Sequence, residues 1–138
     1  MNLADARSAV IQALNRMNAL FNKPVFDEWV LVKIAADQGA ILAYAGPRAE
    51  VYQRQFKEDI VPLRGELDQQ HLAVGDFAFV QDATGTRFDA CIRLGPAAYL
   101  FCNHTAKSMA ELRQDPLWIE AQKPFVQLSE RFRADPLA

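Results

Sequence analysis

The sequence predicts an α+β fold in which helices flank a single five-stranded antiparallel sheet, in the order α-β-β-α-β-β-β-α. The main observation is the stretch from Gly75 to His104, where two turn signals separate three apolar runs. Aromatic and β-branched residues between Gly, Pro and Asp are typical of consecutive strands, so this stretch predicts a meander. A helical periodicity, a hairpin and a second helical region precede it, and one further helix follows.

The first segment, Ala4 to Phe21, is predicted to be an amphipathic helix. Its apolar residues recur at helical spacing, which places them on one face of the helix: Leu3, Val10, Leu14, Met17 and Phe21, with Ile11 and Leu20 beside them. Pro24 ends the helix because a proline disfavours helical geometry at the preceding residue. A helix with one apolar stripe lies on a surface and covers one side of the sheet.

A hairpin follows the first helix. Trp29 to Ala35 and Ile41 to Ala45 are predicted strands, because they are rich in β-branched and bulky residues. Asp37-Gln38-Gly39 is the predicted turn, with the glycine available for a positive φ. The nearly continuous apolar character indicates that both strands are covered on two faces, or on one face plus a partner.

The second helical region extends from Ala49 to Gln70. Tyr52, Phe56, Ile60, Leu63 and Leu67 follow helical spacing along it. Pro62 lies inside this pattern, and a proline removes a backbone hydrogen bond and clashes one turn back. We therefore expect a kink or a break near Ile60.

The last segment is predicted to be a structural helix and not a flexible tail. Ser108 and Glu111 match a capping box, and Asp115-Pro116 is a second start signal. A stripe of large apolar residues continues at helical spacing: Leu117, Trp118, Ala121, Phe125, Leu128 and Phe132. Pro124 is a predicted kink, and Ala134-Asp135-Pro136 ends the helix.

Composition favours one ordinary globular domain over residues 1–138. The chain has 51% hydrophobic residues and a net charge of −2. A nucleic-acid partner is disfavoured, because phosphate binding needs a concentrated positive face and the basic residues are scattered.

No apolar run is long enough to cross a membrane, and the first residues show no secretory signal. A cytoplasmic location is therefore expected.

The residues that carry chemistry are few. Cys102 and His104 share a face of one predicted strand, and Cys91 on the adjacent strand could approach them, but zinc usually takes four ligands in recognised spacings. Two buried thiols and a strand-end histidine are the preferred interpretation, since free cysteines are commonly buried.

His71 is expected in an exposed connection. Asp27 and Glu28 are neighbours in an extended segment and point to opposite faces. We expect no catalytic, cofactor or metal site.

The element order resembles that of the roadblock family, in the profilin-like and longin-like group. The resemblance spans nearly the whole chain, and the first hairpin, Val30 to Ala45, and the meander from Gly75 to Cys102 match it best. Pro62 and the long aromatic tail from Asp115 to Ala138 depart from it. What the resemblance implies is a non-catalytic domain that forms homodimers or heterodimers and contacts small Ras-like GTPases or scaffold subunits.

Two functions remain open at this point. The first is a homodimeric interaction module that acts as an adaptor or regulator. The chain has more apolar residues than a single thin sheet must bury, and we expect the extra ones to form the dimer interface. They are Tyr52, Phe56 and Ile60 of the middle helix, with Phe77 and Phe79 of the third strand. That strand is expected at a sheet edge, where pairing with its copy would protect it.

The second is a ligand-sensing domain of PAS or GAF type, with Tyr99, Cys102 or His104 as the polar anchor in a pocket.

Overall fold

The computed structural model describes residues 1–21, 28–35, 38–46, 54, 65, 67–79, 90–103 and 114–138. Over these residues the chain forms helix α1 (Leu3–Phe21), strands β1 (Glu28–Ala35), β2 (Gln38–Ala45), β3 (Phe77–Phe79), β4 (Ala90–Arg93) and β5 (Ala98–Asn103), and helix α2 (Trp118–Ala134). Arg54, Gly65 and residues 67–70 are also helical and belong to the predicted middle helix. The α+β class and the element order are confirmed.

The five strands form one antiparallel sheet in the order β2-β1-β5-β4-β3. The pairs β3–β4 and β4–β5 confirm the meander, and β1–β2 confirms the hairpin. The meander closes on the hairpin through the pair β1–β5. This connection leaves β2 at one edge of the sheet and β3 at the other.

The first hairpin differs in detail from the prediction. Asp37-Gln38-Gly39 is the predicted turn, yet Gln38 pairs with Ala35 and Gly39 with Ile34 inside the ladder. Antiparallel strands favour two-residue connections, so the pairing extends through Gln38 and Gly39 instead of stopping before them.

Strand β1 separates two apolar layers, because successive side chains of a strand point to opposite faces. Trp29 and Leu31 lie in the layer beneath α1 and α2, whereas Val30, Val32 and Ile34 lie in the layer on the other face. Both layers are buried, which explains the continuous apolar run of β1. Strand β2 differs, since none of its residues is fully buried and its first three are exposed.

Helices α1 and α2 pack side by side on one face of the sheet. In α1 the predicted Val10, Leu14 and Met17 are buried, while Leu3, Ile11 and Leu20 are more than a third exposed. The rest of the buried face of α1 is made of alanines: Ala6, Ala9 and Ala13. Small side chains let the helix lie close to its neighbours, so the buried stripe is narrower than the one predicted from large residues alone.

Helix α2 is part of the core, as predicted. Phe125 and Phe132 are almost completely buried, and Leu128 is 4% exposed. The helix begins at Trp118, later than Asp115-Pro116 suggests, because Asp115 Oδ1 accepts a hydrogen bond from the Leu117 N–H (2.9 Å) in a turn before the first helical residue. It continues through Pro124 to Ala134.

The opposite face of the sheet carries a second apolar layer. Tyr99, Phe101 and Cys91 are buried there together with Leu67 from the middle helix, and Leu72 packs against them. Several predicted features fall outside the described residues: the helix end at Pro24, the kink at Pro62, the first of the two turn signals of the meander, at residues 82–85, and the capping box of Ser108 and Glu111.

Candidate interaction surface

Strand β3 is a sheet edge, as the sequence predicts. Phe77, Ala78 and Phe79 pair with Ile92, Cys91 and Ala90 of β4, and in the described part of the chain β3 has no second neighbour. The Arg93 N–H donates to the Asp76 carbonyl just before β3. In an antiparallel ladder, every second residue of a strand directs its backbone N–H and C=O groups toward the neighbouring strand, and the residues between them direct these groups away from it. Because Asp76 bonds toward β4, the backbone N–H and C=O groups of Phe77 and Phe79 point away from β4.

The ring of Phe77 is half-buried and packs against α2. It stacks on Phe125, with ring centroids 6.4 Å apart and an angle of 20° between the ring planes. Its backbone partner Ile92 is completely buried in the same layer. The Phe77 ring therefore attaches the edge strand to the core.

Gly75 allows the chain to approach α2 closely just before β3. Its φ is +88°, and a Cβ at this position would lie 2.6 Å from Arg133 Cβ and 2.7 Å from the Ser129 carbonyl oxygen. The Gly75 N–H donates to the Arg93 carbonyl at 2.8 Å. Only glycine combines this left-handed conformation with so short a distance to a helix.

An ion pair crosses the same junction. Arg133 Nη2 lies 2.8 Å from Asp76 Oδ1, and the second carboxylate oxygen of Asp76 accepts the Ala73 N–H at 3.0 Å. An open groove of about 300 Å³ runs beside this pair, between the start of β3 and α2, and Leu72, Phe77 and Val126 contribute its apolar walls.

Arg93 holds the segment before β3 against the turn between β4 and β5. Its guanidinium donates to the carbonyl oxygens of Leu72 (2.6 Å), Pro96 (2.6 Å) and Gly95 (3.2 Å), and it lies 6.0 Å from the centre of the Tyr99 ring. This role of Arg93 was not predicted from the sequence. The available signal was an arginine at the end of an apolar strand, directly before a Gly-Pro turn.

The predicted interface residues are described to different extents. The structure places Phe77 on the β3 edge and describes Phe79 by its strand position opposite Ala90. Tyr52, Phe56 and Ile60 lie outside the described residues. Leu67, from the end of the same helical region, is buried against the sheet face opposite α2.

Cys91 and Cys102 are buried thiols that form no disulfide, as the sequence predicts. Cys102 pairs with Ala90 and lies in the layer beneath α1 and α2, whereas Cys91 lies in the opposite layer. Burial raises the pKa of the Cys91 thiol well above its ordinary value, and the nearby Cys102 adds to the effect. Because the two side chains lie on different faces, they do not share a metal site. His104 lies outside the described residues.

The other residues that could carry chemistry, His71 and Glu28, belong to different parts of the fold. His71 is exposed and adopts a φ of +50° directly after helical residues 67–70, as expected for a residue in a connection. Glu28 is 2% exposed at the start of β1, close to Gly46. Within the described ranges, no three His, Cys, Asp or Glu residues are grouped as metal ligands would be.

None of the helices that the structure describes has the length and apolar character needed to cross a membrane. Comparison of the chain with protein-family models, with curated proteins and with solved structures finds no match.

Proposed function

We propose that this protein is a non-catalytic, homodimeric interaction module of roadblock-like architecture. It acts as an adaptor or regulator, and a small Ras-like GTPase is the class of partner that the architecture suggests. The observation that carries the proposal is the position of β3 at the sheet edge, with the hydrogen-bonding groups of Phe77 and Phe79 directed outward. Such an edge is a template for a further strand.

A second copy is the simplest occupant of this edge. Antiparallel pairing of β3 with its copy about a two-fold axis joins two five-stranded sheets into one and removes both free edges. The predicted contribution of Tyr52, Phe56 and Ile60 would come from the middle helices on one face of the joined sheet.

The positions of two proposed ligand anchors, Tyr99 and Cys102, mean that a PAS- or GAF-like sensor could use only one of them in a given pocket. Tyr99 lies in the layer with Leu67, whereas Cys102 lies in the layer beneath α1 and α2. A sensor pocket needs polar groups that converge on one ligand. These two groups are separated by the sheet itself.

Sedimentation velocity on the full chain over a wide concentration range tests the dimer. We expect a concentration-dependent monomer–dimer equilibrium, and a monomer at every concentration would overturn the proposal. Ala78→Lys should weaken the dimer, because it places two like charges near each other across the paired edges. The matched control is Ala40→Lys on β2, an exposed position of the other edge strand, which should leave dimerisation unchanged.

The partner class is tested separately with purified Ras-like GTPases from the source organism. Each GTPase is loaded with GDP or with a non-hydrolysable GTP analogue, and its binding to the dimer is measured by fluorescence anisotropy. Saturable binding that depends on the nucleotide supports the proposal. A complete absence of binding across the set would remove GTPase regulation from it and leave the dimeric module.

A further inference from the structure

The outer face of α2 carries a regular seam of exposed residues. Ile119, Lys123, Val126, Glu130 and Arg133 recur at steps of four, three, four and three, which places them along one face of the helix. Ile119 is 73% exposed and Val126 is 37% exposed. The buried residues of α2, such as Phe125 and Phe132, lie on the opposite side of the helix and do not use this seam.

The place of α2 on the sheet determines what can reach this seam. Helix α2 contacts both β3 and β4, and its Phe125 stacks on Phe77 of β3, so α2 lies over the last two strands of the sheet. Neighbouring strands lie about 4.8 Å apart. If β3 pairs with its copy and each α2 axis lies midway above β3 and β4, the two axes are about 10 Å apart, within the range of packed helices.

The charges of the seam are complementary to those of a second, antiparallel α2. With the two-fold axis near Val126, Lys123 of one copy lies next to Glu130 of the other, and this pair occurs twice by symmetry. Ile119 then lies near Arg133 of the second copy, whose guanidinium pairs with Asp76 of its own chain. Lys123 Nζ already contacts both Glu120 carboxylate oxygens at 2.9 Å, which orients its side chain at the exposed surface.

From these observations we infer that α2 packs antiparallel against α2 of a second copy of this chain, on the same side of the joined sheet as α1. The inference rests on the homodimer proposed above and adds a second, helical contact to it. Val126 lies at the centre of this contact, and Lys123 and Glu130 set its direction.

Sedimentation equilibrium of the full chain measures the contribution of Val126. Val126→Asp should raise the dissociation constant of the dimer by about tenfold or more, the effect expected for a buried interface centre. The matched control is Ile11→Asp on α1, where the original side chain is equally exposed, at 38%. The control should change dimerisation by less than about threefold, and circular dichroism of both variants checks the fold.

A charge exchange tests the antiparallel direction. Lys123→Glu and Glu130→Lys should each weaken the dimer, because each brings like charges together across the axis. The double variant should recover most of the lost affinity. If the double variant loses as much dimer affinity as the two single variants lose together, the antiparallel arrangement is wrong.

The two proposals fail in different ways. A wild-type chain that is monomeric at all concentrations overturns the homodimer and, with it, the helix contact. A wild-type dimer that Ala78→Lys weakens but Val126→Asp leaves unchanged overturns the helix contact alone.

Discussion

Phe77 on the edge strand stacks on Phe125 of α2 with their ring centroids 6.4 Å apart. Phe125 is 1% exposed, whereas Phe77 is only half-buried. One ring is therefore a core residue, and the other extends that core to the sheet edge where a partner would pair. The stability of the sheet edge is therefore linked to that of the core through this contact.

We expect Phe125→Ala to lower the free energy of unfolding by about 3–5 kcal/mol, the usual cost of deleting a buried aromatic side chain. Phe77→Ala should cost less, because part of its ring is already exposed. A double-mutant cycle measured by urea denaturation should give a coupling of about 0.5–1.5 kcal/mol between the rings. A coupling of zero would show that the stacking does not support the edge.

Gly75→Ala should destabilise the protein by more than about 1 kcal/mol. The added Cβ is strained at φ +88° and collides with Arg133 and Ser129. Gly65→Ala is the control, since Gly65 is helical and its Cβ would meet no atom within 4 Å. That change should stabilise the protein by about 0.5–1 kcal/mol. Thermal unfolding of the two variants measures the contrast, and equal effects would contradict it.

Replacing Arg93 with methionine should lower the free energy of unfolding by roughly 2–3 kcal/mol, because the carbonyl groups of Leu72, Gly95 and Pro96 lose a charged donor. Arg133→Met provides the comparison. It removes only the exposed ion pair with Asp76 and should cost less than about 1 kcal/mol. Chemical denaturation of both variants would show the difference, and a small effect at Arg93 would argue against its role in holding the segment before β3.

The raised pKa of Cys91 predicts a loss of stability at alkaline pH. Below about pH 9 the thiol is protonated in both states and has no effect on the pH dependence. Above that value the unfolded chain releases the proton while the folded chain retains it, so the free energy of unfolding falls by up to about 1.4 kcal/mol per pH unit. Cys91→Ala should show a shallower fall between pH 9 and 10.5 in urea titrations. Identical slopes in wild type and variant would contradict the assignment.

Much of the fold could be predicted because its signals are local. The α1 periodicity, the two strands of the hairpin and the buried face of α2 at Phe125, Leu128 and Phe132 all follow from spacing and residue type. The expected edge position of β3 was also confirmed. The hairpin turn and the start of α2 were displaced by a few residues, because pairing partners and an Asp115 side-chain bond determine where an element begins.

The candidate site was less predictable, because it depends on contacts between residues far apart in the sequence. Nothing local indicates that Arg93 reaches the Leu72 carbonyl, or that Gly75 lies against Arg133. Cys91 and Cys102 looked like neighbours from adjacent strands, and only the register shows that they face opposite layers.

The sequence by itself determined the class of the fold, the order of its elements and the main buried residues of α1 and α2, since these follow from periodicity and turn chemistry. Only the tertiary structure decided that β1 and β5 pair, that α1 and α2 share one face, and that α2 contacts β3 at the edge of the sheet. Those choices depend on which apolar surfaces can be buried together at once, and the spacing of residues along the chain does not contain that information.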